Sequence, residues 1–198
     1  MLNNKTIGVL ALQGAFIEHI HMLESLGATC YEIRQLSDLT IRKYDGIVLP
    51  GGESTTQTNL LKKLDIFDYL QKLISDGLPV LATCAGAILL ADNICDNTTE
   101  ALHPGHLQTL PVTIRRNAYG RQLGSFTTTS DFGPIKNVSM TFIRAPYFNS
   151  IESPDVKVLS TVDDHVVAVR YQNQVALSFH PEVTEDTRIH EYFLQEVC

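Results

Sequence analysis

Hydrophobic positions along this chain fall into two alternating rhythms. Apolar runs of about four to eight residues read as buried strands, and apolar residues recurring every three or four positions read as helices. Lys5 to Leu12 is a strand run that ends at Gln13-Gly14. From Ala15, Phe16, Ile20, Leu23 and Leu26 recur at helical spacing, and Gly27 stands where a C-terminal glycine cap belongs. Thr29 to Ile33 and Asp45 to Leu49 read as the next two strands, the second running into Pro50-Gly51-Gly52. Ser54 with Gln57 fits a capping box that opens a helix. Asp65 to Ser75 is amphipathic, with Ile66, Phe67, Leu70, Leu73 and Ile74 as core candidates and Gly77 at its end. Leu78 to Ala82 is a short apolar strand, and the alanine-rich run from Ala85 to Ala91 is a helix. Strands alternating with helices predict an α/β fold with a doubly wound, mostly parallel sheet and helices on both faces.

The rhythm changes after Leu110. Short β-rich runs crowd together at Pro111 to Arg115, Leu123 to Thr129, Met140 to Ile143, Val156 to Ser160, Val166 to Arg170 and Val175 to Phe179. Their close spacing predicts an antiparallel extension beside the parallel sheet. Asp92 to Gly105 is polar and turn-rich and reads as loop. Thr184 to Val197 reads as a closing helix, capped by Thr184, with Ile189, Phe193 and Val197 facing inward. Residues 1–198 are expected to form a single domain.

Composition narrows the function classes. With 44% hydrophobic residues and a mean hydropathy near zero, the chain reads as a soluble globular protein. No apolar run approaches the roughly 20 residues of a membrane span. The first residues lack the charged, apolar and small-residue regions of a signal peptide. Four cysteines, Cys30, Cys84, Cys95 and Cys198, have no zinc-type spacing and are too few for a disulfide scaffold, so a cytoplasmic setting is expected. A net charge of −7 argues against a nucleic-acid partner.

The candidate chemistry sits at strand ends. Cys84 falls at the corner between the Leu78 to Ala82 strand and the following helix. There the helix N-terminus faces the sulfur and favours thiolate over thiol. A serine in this position would be a nucleophile elbow. The plainer alternative is a buried structural cysteine. A second element raises the catalytic reading: Val175 to Phe179 is a strand, His180 leaves its end, and Pro181 stops the ladder. Glu182, across the proline bend, can reach one ring nitrogen while the other faces the thiol, giving a nucleophile, a base and an orienter. His103 and His106 lack a third ligand nearby and read as solvated loop residues, so no metal is expected. His19 and His21 point to different sides of the first helix, and at least one should be ordinary surface. Arg115, Arg116 and Arg144 are candidates for recognising a carboxylate, with surface charge the plainer reading for Arg115.

The runs Thr83-Cys84-Ala85-Gly86 and His180-Pro181-Glu182 resemble those of the class I, or triad, glutamine amidotransferases. Further segments narrow the resemblance to the glutaminase subunits of pyridoxal 5'-phosphate synthase. They are Gly8 to Ala15, Leu49 to Thr56, Arg116 to Gln122, Phe142 to Pro146, and the tail from Ser178 to Arg188. One departure is Gln57-Thr58-Asn59, where basic residues often follow the Glu-Ser-Thr-Thr run.

The resemblance implies hydrolysis of L-glutamine to L-glutamate and ammonia by Cys84, His180 and Glu182, with no cofactor. It places Gly51, Gly52, Glu53, Arg116, Ile143 and Arg144 at the glutamine. A loop amide and that of Ala85 are the implied oxyanion donors. Gln13 and Gly14 are implied to lie at a partner interface and to help complete that hole on association. The implied partner is a barrel-shaped synthase subunit that uses the ammonia to make pyridoxal 5'-phosphate. Two rivals are the amidotransferase of imidazole glycerol phosphate synthase and a non-catalytic module of the same fold. The Gly51 to Thr56 and Arg116 to Gln122 runs tell against the first, and the intact Cys84, His180 and Glu182 against the second.

Overall fold

A computed structural model describes residues 4–96, 101–116 and 124–198. The Asn117 to Gln122 run and the first residue of the Leu123 to Thr129 strand lie outside them. The first half alternates as its periodicity predicts: β1 (Thr6–Leu10), α1 (Phe16–Ser25), β2 (Thr29–Ile33), α2 (Leu36–Thr40), β3 (Gly46–Leu49), α3 (Ser54–Lys63), α4 (Phe67–Ser75), β4 (Val80–Thr83) and α5 (Ala85–Leu90). Glycines close two of these helices. Gly27 and Gly77 have φ of +88° and +100°, and the amides of Gly27 and Ala28 bond back to Glu24 O and Leu23 O. That is the left-handed cap a helix end requires. The short helix α2 has no counterpart in the periodicity.

The second half adds β5 (Ala91–Cys95), β6 (Leu102–Pro104), β7 (Leu110–Arg115), β8 (Ser125–Phe132), β9 (Ile135–Ile143), β10 (Tyr147–Ile151), β11 (Lys157–Val162), β12 (His165–Tyr171) and β13 (Gln174–Leu177). Among the described residues, the main sheet runs β2-β1-β3-β4-β13-β12-β10-β7-β5-β6, with β11 paired to β12. Its β2 to β13 portion is parallel, and β12 and β10 extend it antiparallel. β8 and β9 form a separate antiparallel pair.

Three expectations need correction. Asp92 to Gly105 is not all loop, because β5 pairs with β6 and β7 there through backbone bonds that polar side chains do not forbid. The closing helix begins at Arg188, not near Thr184. The Thr184 hydroxyl is engaged in the turn before it, donating to Pro181 O and accepting from Asp186 N, and Phe193–Val197 continues α6 as a π-helical turn. Ser54 does not cap α3. The carboxylate of Glu53 does, accepting from the amides of both Thr55 and Thr56, where a hydroxyl offers less acceptor capacity.

Strand alternation sends side chains to two cores. Leu10, Ile47, Leu49, Val80 and Ala82 pack with Leu61, Leu70 and Ile74 of α3 and α4. Val9, Val48, Leu81, Val175 and Leu177 pack on the other face with Leu23 of α1, Ile189 of α6, and Phe193. Phe132, Met140 and Phe142 bring the β8–β9 pair onto that second core. Each of these Val, Leu, Ile, Met and Phe side chains contributes about 1.5–3 kcal/mol on burial, which fixes the register of the strands and hence their ends.

Candidate active site

Four neighbouring strands, β1, β3, β4 and β13, deliver Gln13, Gly51, Cys84 and His180 to one edge of the sheet. Parallel pairing sets Leu177 against Thr83, and Cys84 N–H donates to Leu177 O at 2.8 Å. Cys84 and His180 therefore leave adjacent strands, one and three residues beyond a paired position. Cys84 adopts φ 48° and ψ −104°, a conformation costly for a residue with a side chain and typical of a nucleophile elbow. Its sulfur stands before the first turn of α5. Gly86 lets this helix approach β3, since a Cβ there would lie 2.0 Å from Leu49 O.

His180 is fixed from both sides. Its amide donates to Thr141 O of β9 at 2.8 Å, and its Nδ1 lies 2.7 Å from Glu182 Oε1. Burial alone would push the imidazole below its usual range, but hydrogen bonds to Cys84 and Glu182 and their charges outweigh it, raising the pKa to about 10. Burial pushes Glu182 upward, yet the hydrogen bond from His180 and its charge hold the carboxyl below the usual range. The arrangement favours an imidazolium between a sulfur and a carboxylate.

A cleft of about 380 Å³ opens over these groups. Among its lining residues are Gln13, Gly14, Gly51, Gly52, Glu53, Cys84, Arg116, Ile143, Arg144 and His180. Glu182 lies behind His180, and Ala85 lies buried in the first turn of α5. The residues that the resemblance assigns to catalysis, to glutamine and to the oxyanion donors therefore lie in the cleft or beside it, whereas Arg115, His103, His106 and His21 do not line it. Ala15, Ser54 and Ile88 also line it. Arg144 shares with Cys84 a positive φ, 45°, which aims an exposed guanidinium at the cleft from the end of β9. Arg116 lies 3.6 Å from Glu53 across the opening.

The floor of the cleft is two loops laced together. Ala15 N–H donates to Gly51 O, Glu53 N–H donates to Gln13 Oε1, and Gln57 Nε2 donates to both Gln13 O and Pro50 O. Gly51 N–H is taken by Thr83 Oγ1 at 3.0 Å, so of this glycine pair the Gly52 amide is the one left to face a ligand. Gln57, read from the sequence as half of a capping box with Ser54, is instead fully buried as part of this lacing. His19 and His21 do fall on different sides of α1: His21 is exposed, and His19 is fully buried against His190 of α6, a partner the sequence does not name. Neither signal is local in sequence. His103 pairs with Asp96 at 3.3 Å.

Glu53 carries a consequence for stability. Burial nudges its carboxyl upward, but bonds from Thr56 and Thr55 outweigh this and hold it at about 2, below the ordinary 4.5. A depressed folded-state pKa means the ionised cap stabilises the protein above about pH 4.5, and that this contribution is lost as pH falls toward 2. Glu53→Gln is expected to melt at a lower temperature than the parent at pH 7, with the gap closing near pH 2 to 3. Thermal melts across that range check it, and a gap that is constant with pH would refute the capping argument.

A thiol at an elbow beside a carboxylate-oriented histidine, on the carboxyl edge of a mostly parallel sheet, is the arrangement a thiol nucleophile, its base and an orienter require. The chain belongs to the SNO glutamine amidotransferase family, which it matches over residues 9–198, and within it groups with the PdxT subunits of pyridoxal 5'-phosphate synthase. It is 55% identical to the pyridoxal 5'-phosphate synthase subunit PdxT of Methanocorpusculum labreanum, over 97% of each chain. It is 52% identical to the subunit of the same name from Desulfitobacterium hafniense, over 96% of this chain and 92% of that one. A crystal structure of a glutamine amidotransferase superimposes with a TM-score of 0.86 at 39% identity, covering 96% of this chain and 97% of that one.

Proposed function

We infer that this protein is the glutaminase subunit of a pyridoxal 5'-phosphate synthase. The observation that carries the reading is the set Cys84, His180 and Glu182 at one end of the sheet, with His180 bonded to Glu182 and lining one cleft with Cys84, in a chain whose relatives are named as PdxT subunits.

Cys84, as the thiolate of an ion pair with His180, attacks the side-chain amide carbon of L-glutamine. The amides of Ala85 and Gly52 receive the charge that develops on the carbonyl oxygen. The imidazolium of His180 gives its proton to the departing nitrogen, ammonia leaves, and a γ-glutamyl thioester remains on Cys84. Water, giving a proton to the now neutral His180, attacks the thioester and releases L-glutamate. Glu182 holds the His180 tautomer and balances its charge throughout. Arg144 and Arg116 take the α-carboxylate end of the substrate, and Glu53 its α-ammonium end. Ile143 and the Gly51–Gly52 backbone shape the slot between.

Ammonia is useful only where a second active site consumes it. The relatives' designation as synthase subunits supports a partner, which the sequence resemblance gives as a barrel-shaped synthase chain. Gln13 and Gly14, on the cleft floor, are the segment through which that partner acts on the oxyanion donors. The four unpaired cysteines suit a cytoplasmic setting. Incubation with a glutamine-derived electrophile tests the reading. One label per chain, on Cys84 and suppressed by L-glutamine, is the expected result. An unlabelled, correctly folded chain in the presence of the synthase subunit would make this a non-catalytic module.

A further inference from the structure

Behind the triad lie two histidines that the reaction does not use. Glu182 Oε1 takes the bond from His180, while Oε2 is buried with no hydrogen-bond partner. His19 Nε2 stands 3.4 Å from that oxygen, both side chains being wholly buried. The same Nε2 lies 3.2 Å from Thr83 Oγ1, which accepts the Gly51 amide. On its far side His19 Nδ1 meets His190 Nε2 at 2.9 Å.

The partners decide which nitrogen of His19 carries the proton. With the proton on Nε2, the N–H is shared between Thr83 Oγ1 and Glu182 Oε2, and Nδ1 accepts from His190. Two groups are then left over: the lone pair of His190 Nδ1, which is buried without a partner, and the Thr83 hydroxyl hydrogen, whose oxygen accepts from both Gly51 and His19. With the proton on Nδ1, the Thr83 hydroxyl would donate to Nε2, but a lone pair would face an ionised carboxylate, and His190 would carry an orphaned buried N–H. An orphaned N–H together with a bare, repelled carboxylate costs more than one unpaired acceptor and one hydroxyl hydrogen. His19 is also held neutral. Burial lowers its pKa, Glu182 and Glu18 oppose that, and His180 reinforces it. His190, the group facing it from α6, is itself pushed well down by burial.

We propose that His19 is a positioning residue for glutamine hydrolysis: neutral and protonated at Nε2, it holds the second oxygen of Glu182 and, through Thr83, the Gly51 amide. The base-orienting carboxylate and the loop that offers the oxyanion donor thus share one buried anchor, itself braced by His190. His19 touches no substrate, and the proposal rests on the glutaminase reading. Without its N–H, Glu182 keeps one oxygen bare in an apolar enclosure and loses its preference for the rotamer that meets His180. The loss belongs to the transition state, where His180 must be correctly aimed, and Arg116, Arg144 and Glu53 are untouched. It should therefore appear in kcat rather than KM.

The test pairs His19→Leu, which removes the donor at similar bulk, with His19→Gln, whose amide N–H reaches close to the Nε2 position. Turnover is measured with the synthase subunit present. His19→Leu should lose on the order of 10- to 100-fold in kcat, as outer-shell partners of functional groups commonly do, with KM little changed, and His19→Gln should recover most of that loss. Parental kcat in His19→Leu, or equal losses in both variants, would overturn the proposal. If His19→Leu does not fold, nitrogen-15 NMR of the imidazoles in the unmodified protein decides. A proton on His19 Nε2 supports the arrangement and one on Nδ1 overturns it. An unmodified protein that releases no glutamate would instead defeat the glutaminase reading, and the NMR result would still settle which tautomer faces Glu182.

Discussion

Replacing Cys84 with alanine is expected to abolish glutamine hydrolysis while the fold and glutamine affinity stay largely intact. Removal of a triad nucleophile costs on the order of 10⁶ in kcat in enzymes of this logic. The structural cost is small because alanine keeps the Cβ and the backbone conformation of φ 48°, deleting only the sulfur of a residue that is buried overall, at 7% exposure. The backbone bonds around the elbow, from Cys84 N–H to Leu177 O and from Ile88 N–H to Cys84 O, do not involve the sulfur. Glutamine contacts expected from Arg144, Arg116 and Glu53 are likewise untouched. Glutamate release is measured on the purified variant with the synthase subunit, and glutamine binding by calorimetry. Turnover above background would sink the assignment of the nucleophile.

Gly14→Val is expected to be the most damaging change outside the triad, lowering glutaminase turnover by about 10²-fold or more. Gly14 has φ +99°, which a β-branched residue resists, and a Cβ built on it would lie 1.7 Å from Gly51 O. The Gly51 carbonyl is the acceptor for Ala15 N–H, so displacing it turns the peptide whose other end is the Gly52 amide. The amide proposed as oxyanion donor is thereby moved without touching Cys84 or His180. The same loop is the expected route by which a docked synthase subunit raises the rate of a poor isolated glutaminase. Rates are compared with and without the partner, for the parent and for Gly14→Val, alongside thermal melts that confirm folding. Equal rates in all four conditions would leave Gln13-Gly14 a structural turn and the coupling idea wrong.

Much of this arrangement is written in the chain itself. Apolar periodicity and glycine caps place β1 to β4 and the helices other than α2 within a few residues, because each of these elements buries a face of its own. A strand that ends in a small-residue corner marks Cys84, and a strand stopped by proline marks His180 with Glu182 in reach. These signals are local, so they survive without knowledge of the fold. Only the tertiary structure decides that β13 returns to lie beside β4, which sets His180 next to Cys84 across almost a hundred residues. It alone turns Gln57 inward to lace the Gln13 and Pro50 loops, hands the cap of α3 to Glu53, and pairs β5 with β6 in a polar stretch. It alone buries His19 against Glu182 and His190. The physical reason is common to all of these. A polar side chain or backbone group carries no periodic signature of its own, and its place is chosen by whichever partner in the folded chain satisfies its hydrogen bonds away from water.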